Sequence, residues 1–195
     1  MKHFTLLFAS LISICVAHAQ FIVIDKTDRF GRFIVTNYNE IYEESGREGE
    51  FALSYIETAD SVAFFLLFKS QEDLNIRTGD KMLFKHVNGI ITEIECIDDG
   101  SKSTHVSSFG LQWMSPYPEF YRSTDGVMYM ISEDQIKEII ENPVIKIRIE
   151  EEFRYTDRKT GNAKGKSKVS SFAEGALLSV KEALSTKKTG LYDGF

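Results

Sequence analysis

Cysteine, histidine and proline are scarce in this sequence, and the first two shortages each close off a class of chemistry. There are 2 cysteines. Cys15 falls in an apolar N-terminal run, which leaves Cys96 by itself. One thiol makes no internal disulfide, so the chain must hold itself together by packing, and Cys96 reads as a small buried hydrophobe. Of the 4 histidines, His3 and His18 belong to the N-terminal run. His86 and His105 sit in different segments, and no H-x-H, H-E-x-x-H or C-x-x-C spacing occurs. A zinc site or a histidine-based triad would have to be assembled from distant parts, so no metal centre is expected. G-x-S-x-G, a Walker loop and G-x-G-x-x-G are missing as well. No catalytic residue and no cofactor is therefore expected, and a non-enzymatic role is the leading reading.

An excess of basic charge is also missing. The formal net charge is -6, and nothing in its distribution favours nucleic acid. Beyond the N-terminus no apolar stretch approaches the ~20 residues of a transmembrane helix. The N-terminus itself, MKHFTLLFASLISICVAHAQ, has a basic start, an apolar run from Phe4 to Val16 and the small-x-small signal Ala17-His18-Ala19. It reads as a secretory signal covering residues 1–19, which places the mature chain in the periplasm or outside the cell. Ile14 stands where lipoprotein processing needs a small residue, so lipidation at Cys15 is not expected. Gln20 to Phe195 suits a single domain with a loose tail from about residue 186.

What is present is best organised around Val127 to Ile149, VMYMISEDQIKEIIENPVIKIRI. Ser132 and Gln135 have capping-box spacing, with Ile131 and Ile136 in hydrophobic-staple positions. Glu133 and Asp134 complement the helix dipole, and Asn142-Pro143 ends the helix, which predicts a short helix over 133–141. Ile136, Ile139 and Ile140 form one apolar stripe, whose nearest partners are the strand patterns on either side. In the second of these Ile145, Ile147 and Ile149 alternate with Lys146, Arg148 and Glu150, so one face is buried and the other wet.

Elsewhere, FIVI and RFIVTNY flank a turn around Gly31, and FALSYIE and VAFFLLFK flank Thr58–Ser61; the latter run, apolar on both faces, reads as a central strand. The acid-rich stretch Asn39–Glu50 reads as a solvated loop. Around Asn88-Gly89, a two-residue turn would place Glu93 and Glu95 opposite Phe84 and Met82. A three-residue loop, Val87-Asn88-Gly89 with a left-handed Gly89, instead pairs Phe84 with Thr92, Met82 with Ile94 and Lys81 with Glu95, and is the preferred register. After Ile149 the strand is expected to continue through Phe153 and Tyr155. The basic stretch Arg158–Lys168 reads as a loop. Ser171 and Glu174 give a second capping box, with Phe172, Ala176, Leu177, Val180, Ala183 and Leu184 striping a C-terminal helix over about 172–185.

The Gly79-Asp80-Lys81 turn, the Asn88-Gly89 turn, Tyr129-Met130-Ile131-Ser132 opening a helix and Lys146-Ile147-Arg148-Ile149 following it resemble secreted domains of unknown function from Gram-negative gut bacteria. The resemblance spans Thr78 to Glu150. It implies an antiparallel sheet with helices on one side and carries no activity. The residues point the same way: strands precede two late helices, as in an α+β domain with a mostly antiparallel sheet and both helices on one side.

Candidate binding residues concentrate in FGLQWMSPYPEFYRSTDG, where Trp113, Tyr117 and Tyr121 offer large rigid surfaces able to anchor a protein or stack on a sugar. The leading expectation is an exported module that binds a protein or cell-envelope component, with some of these three rings solvent-accessible. One alternative is a carbohydrate-binding protein or weak glycan hydrolase using those rings with Asp98 or Asp99. Another is a structural or lipid-binding domain, which requires an apolar cavity between sheet and C-terminal helix. Glu93 and Glu95 read as cross-strand partners of Lys81 rather than as catalytic acids.

Overall fold

The computed structural model describes residues 22–28, 31–44, 47–72, 74–99, 126–162 and 167–186. The N-terminal run, the aromatic stretch with Trp113, Tyr117 and Tyr121, His105 and the tail beyond Thr186 lie outside the described residues.

The strands are β1 (Ile22–Asp28), β2 (Gly31–Thr36), β3 (Asn39–Glu44), β4 (Arg47–Thr58), β5 (Val62–Ser70), β6 (Lys81–His86), β7 (Ile91–Asp98), β8 (Val127–Ile131), β9 (Val144–Glu151) and β10 (Arg154–Lys159). Helix α1 (Glu133–Glu141) lies between β8 and β9, and α2 (Lys168–Ser185) follows β10. All strands belong to one antiparallel sheet in the order β1-β2-β4-β5-β8-β7-β6-β9-β10, with β3 paired to β4. The expected α+β architecture is what the chain adopts.

Packing shows how strongly the sheet rolls. Phe51 on β4 and Phe84 on β6 are separated by β5, β8 and β7, about 19 Å across a flat sheet at ordinary strand spacing. Their ring centroids nevertheless lie 6.1 Å apart. Phe51 also meets Phe68 at 5.6 Å and Phe172 of α2 at 6.0 Å, so one side chain ties three strands to a helix. Inside the roll, Ile136 and Ile139 of α1 and Val169, Phe172 and Ala173 of α2 close on Phe51, Leu53, Leu66 and Phe84, leaving a gap of about 10 Å³. That is less than the space of one water molecule.

The α1 cap forms as its spacing demands. Ser132 Oγ accepts from Gln135 N at 3.1 Å, and Gln135 Oε1 accepts from Ser132 N at 2.8 Å. The strands flanking α1 were the expected seat for its stripe, but its main contact is α2. The β6–β7 register is also as expected, with Lys81↔Glu95, Met82↔Ile94 and Phe84↔Thr92. Gly89 adopts φ +86, a region open to glycine without a Cβ penalty. β5 is an interior strand between β4 and β8.

Four expectations are corrected. Asn39–Glu50 forms the end of a hairpin, β3 with the start of β4, rather than a loop; a register shift near Ile41 lets consecutive Ile41 and Tyr42 both be buried while Glu40, Glu43 and Glu44 stay outside. The strand ending at Glu151 does not run on through Phe153; it reverses at Glu152-Phe153 into β10, and Phe153 is 87 % exposed. Arg158 and Lys159 therefore belong to a strand. Helix α2 begins at Lys168 rather than about Phe172, capped by Ser167, whose Oγ accepts from Ser170 N at 3.2 Å. Tertiary anchoring explains the earlier start: Lys168 N donates to Thr160 O, and Ser170 Oγ accepts from Val144 N. The stripe of Phe172, Ala176, Leu177 and Val180 is buried as the spacing requires.

Gly49 gives a direct test of this packing. It sits opposite Tyr42, and a Cβ there would lie 2.2 Å from the Tyr42 ring. Tyr42 is 1 % exposed, so the ring has nowhere to retreat. Gly49→Ala is expected to cost about 2 kcal/mol through overpacking; urea unfolding checks it, and an unchanged midpoint would show that the ring yields freely.

Candidate functional site

Three surface depressions bear on function, and the chemistry of each follows from how the sheet rolls. The first is the seam where the roll nearly shuts: β3 and β10 approach each other without pairing, so side chains bridge what the backbones do not. Arg158 Nε donates to Glu72 Oε1 at 2.9 Å and its Nη2 donates to Glu72 Oε2. Tyr42 Oη donates to the same carboxylate at 3.0 Å. One strand away, Glu151 accepts from Asn75 N, Thr156 Oγ1 and Arg154 Nε.

Burial presses the Glu72 carboxyl upward, but the Arg158 and Tyr42 hydrogen bonds, with the charges of Arg158 and Arg47, outweigh it and hold the group below its ordinary value. Burial likewise pushes the Tyr42 phenol up to about 12. Arg47, Arg154 and Arg158 line a cleft of about 380 Å³ here. It resembles an anion site, yet Arg158 and Arg154 are hydrogen-bonded to Glu72 and Glu151 and Arg47 lies 3.7 Å from Glu72, so these contacts act as a structural staple.

The second depression, about 980 Å³, lies between β3, Lys159–Gly161 and the first turn of α2. Several of its polar groups are engaged within the fold: Lys168 pairs with Glu40, Ser170 Oγ accepts from Val144 N, and Ser167 caps α2.

The third is a notch at the end of β8. The chain leaves the sheet at Ile131 to enter α1, while the neighbouring strands run on. β8 pairs with β5 only from Phe64 and with β7 only from Glu95. Val62–Ala63 and Ile91–Ile94 overhang as the two walls of a groove of about 630 Å³. Val62 and Met130 are more than half exposed beside it. Glu93, Glu95 and Glu133 are its charged lining, with no lysine or arginine among the lining residues.

No family model, curated protein or solved structure matches this chain. The site must therefore be read from its own chemistry.

The candidate residues of the sequence fare unequally. Trp113, Tyr117 and Tyr121 lie outside the described residues. Asp98 ends β7 opposite Met128, beside Asp99, and does not line the notch. Glu93 pairs with Lys81 at 2.6 Å on the exposed face, as cross-strand reasoning required. His86 is fully buried, its Nε2 2.8 Å from Thr92 Oγ1 and its Nδ1 bonded to Asn142 O, which ties β6 to the end of α1. Cys96 is free and buried, and burial pushes its thiol up to about 12, far from a nucleophile's range. Among the described residues no group of three metal-ligating side chains converges, and no helix is long and apolar enough to cross a membrane.

Sequence reasoning missed both the seam and the notch. The seam joins residues far apart in the chain, and the notch depends on the length of β8 relative to β5 and β7, whose overhanging residues lie well upstream of it in the chain.

The seam carriers set an acid limit on stability. Glu72 and Glu151 are held below the ordinary 4.5, and Asp157, hydrogen-bonded by Arg148, is held near about 2 against an ordinary 3.8. Lowered carboxylates stabilise the fold fully above their unfolded values and lose that contribution as pH falls through the folded ones. Stability to urea is thus expected to be flat above about pH 5 and to fall between about pH 4.5 and 2. Glu72→Gln should cost about 3 kcal/mol at neutral pH and flatten the acid slope; an unaltered slope would remove Glu72 from the account.

Proposed function

We propose that this chain is an exported, non-catalytic module that binds a protein or another component of the cell envelope. The observation that carries this reading is the notch beside β8, where Val62 at 57 % and Met130 at 51 % exposure leave apolar surface in water next to two strand overhangs. Exposed apolar surface gathered around a concavity gains free energy when a partner covers it. The overhang of β7 is partly capped from within, since Glu93 O accepts from Gln135 Nε2 at 2.8 Å, so the apolar surface rather than the strand edge carries the reading.

The signal-like residues 1–19 and the resemblance of Thr78–Glu150 to secreted domains support export. A lipid-holding role has less support, because the gap in the apolar interior between the sheet and the two helices is about 10 Å³ and an acyl chain needs far more. The aromatic stretch with Trp113, Tyr117 and Tyr121 remains part of the proposal as a second contact region, for a protein or a glycan.

Affinity capture of the mature chain from its native envelope tests the reading, with Met130→Glu and Trp113→Ala run in parallel. A discrete partner depleted at least about fivefold by one of these variants, which corresponds to about 1 kcal/mol, is the expected result. Glycan turnover in a hydrolysis screen, or no partner with the unaltered chain, would overturn it.

A further inference from the structure

The outer face of β7, β6, β9 and β10, four consecutive strands of the sheet, sorts its charges by row. In the row nearest the β6–β7 turn, Ile91 lies opposite Lys85, Lys85 opposite Lys146, and Lys146 opposite Lys159. The next row reads Glu93, Leu83, Arg148 and Asp157, and the third carries Glu95, Lys81, Glu150 and Tyr155. The first row therefore holds only cations among its charged groups, whereas in each of the other two carboxylates outnumber cations.

Like charges set directly opposite one another on neighbouring strands oppose folding, so stability does not account for the lysine row. Asp157 relieves Lys146 but also bonds Arg148. Lys85 and Lys159 are exposed and hold no salt bridge among the described residues. Two exposed acids flank the row, Glu43 across the depression that Lys159 lines and Glu141 beside the Asn142 that holds the turn, and neither forms a salt bridge with it.

The same end of the sheet leaves apolar surface in water. Val87, Ile90 and Ile91, all β-branched and all around the Asn88-Gly89 turn, are each about half exposed. The turn is braced: Val87 N donates to Pro143 O, Asn88 Nδ2 to Asn142 Oδ1 at 2.8 Å, and Ile90 N to Asn88 Oδ1 at 3.0 Å. A tip already held in one shape gives up little freedom when it is covered.

We propose that this end of the sheet docks on a membrane surface rich in anionic phospholipid. Val87, Ile90 and Ile91 enter the headgroup layer, and the stems of Lys85, Lys146 and Lys159 carry their ammonium groups to the lipid phosphates. A soluble polyanion would engage the lysines and leave the three apolar side chains in water, so the observations favour lipid. The acid-rich rows fix the orientation, because an anionic surface repels them and attracts the lysine end. The inference rests on the binding-module reading and names the envelope component as a lipid.

The test sediments the full mature chain with vesicles of phosphatidylglycerol and phosphatidylcholine in equal parts, and with vesicles of phosphatidylcholine alone. Affinity for the mixed vesicles is expected to be higher by at least about tenfold. Lys85→Glu with Lys159→Glu should lower it by at least about tenfold. Those changes give Lys146 acidic neighbours, so the urea midpoint should not fall; Lys85→Gln with Lys159→Gln serves if the reversed pair does not fold. Ile90→Ser with Ile91→Ser should lower the affinity by at least about fivefold. Lys137→Glu with Lys181→Glu, the same change of charge on the two helices, should alter it by less than about twofold.

Equal binding to the two kinds of vesicle would overturn the proposal, as would a loss from the helix pair as large as that from the lysine row. An Ile90 and Ile91 variant that binds as well as the unaltered chain would reduce the surface to a polyanion site and overturn it too. If the vesicles are not bound while envelope capture yields a partner that depends on Met130, the lipid assignment falls and the binding-module reading stands.

Discussion

The structure depends on a roll. A ten-stranded sheet with one continuous apolar face has too much of that face for two short helices to cover if it stays flat. Rolling brings Phe51 and Phe84 from distant strands into edge contact and turns the apolar face into a trough that α1 and α2 fill. Phe51 sits where this closure is tightest, touching rings on β5, β6 and α2. Native-like density is reached because aromatic side chains from both curved walls meet in the middle.

Two consequences of the roll account for the surface. Where its margins approach, β3 and β10 cannot form a ladder, and the Arg158–Glu72–Tyr42 cluster spans the opening instead. Arg32 plays a comparable part at the other margin: on β2 it pairs with Asp25 and donates to Ala183 O near the end of α2, where a cation suits the negative end of the helix. These charged groups are nearly enclosed and paired, which is the condition under which buried charge is tolerated. The second consequence is the notch. Helix α1 must enter the trough, so the chain quits the sheet after only five residues of β8 and leaves its longer neighbours overhanging. A requirement of packing thus generates a groove whose walls combine strand ends, apolar surface and carboxylates.

Local rules were legible wherever neighbouring residues decide the outcome. The Ser132–Gln135 cap, the stop at Asn142-Pro143, the left-handed Gly89 and the β6–β7 register all follow from side chains within a few positions of one another. Where the reading failed, a distant partner decided. The glutamates of Asn39–Glu50 suggested a loop because the features that make it a strand pair, the Tyr42 ring over Gly49 and the Glu72 carboxylate beneath it, lie across a hairpin or 30 residues away. The start of α2 moved forward because Thr160 and Val144 hold its first turn. The turn at Glu152-Phe153 has neither glycine nor proline to mark it.

By itself, then, the sequence determined the class of the fold: an antiparallel sheet with a short capped helix and a C-terminal amphipathic one. Periodicity and capping are local physics, and they act the same way whatever the rest of the chain does. Only the tertiary structure decided how far the sheet rolls, which charges meet across its seam, and that β8 stops short of its neighbours. Those outcomes depend on the volume the two helices must fill and on pairings between strands distant in the chain, and no window of sequence contains either quantity.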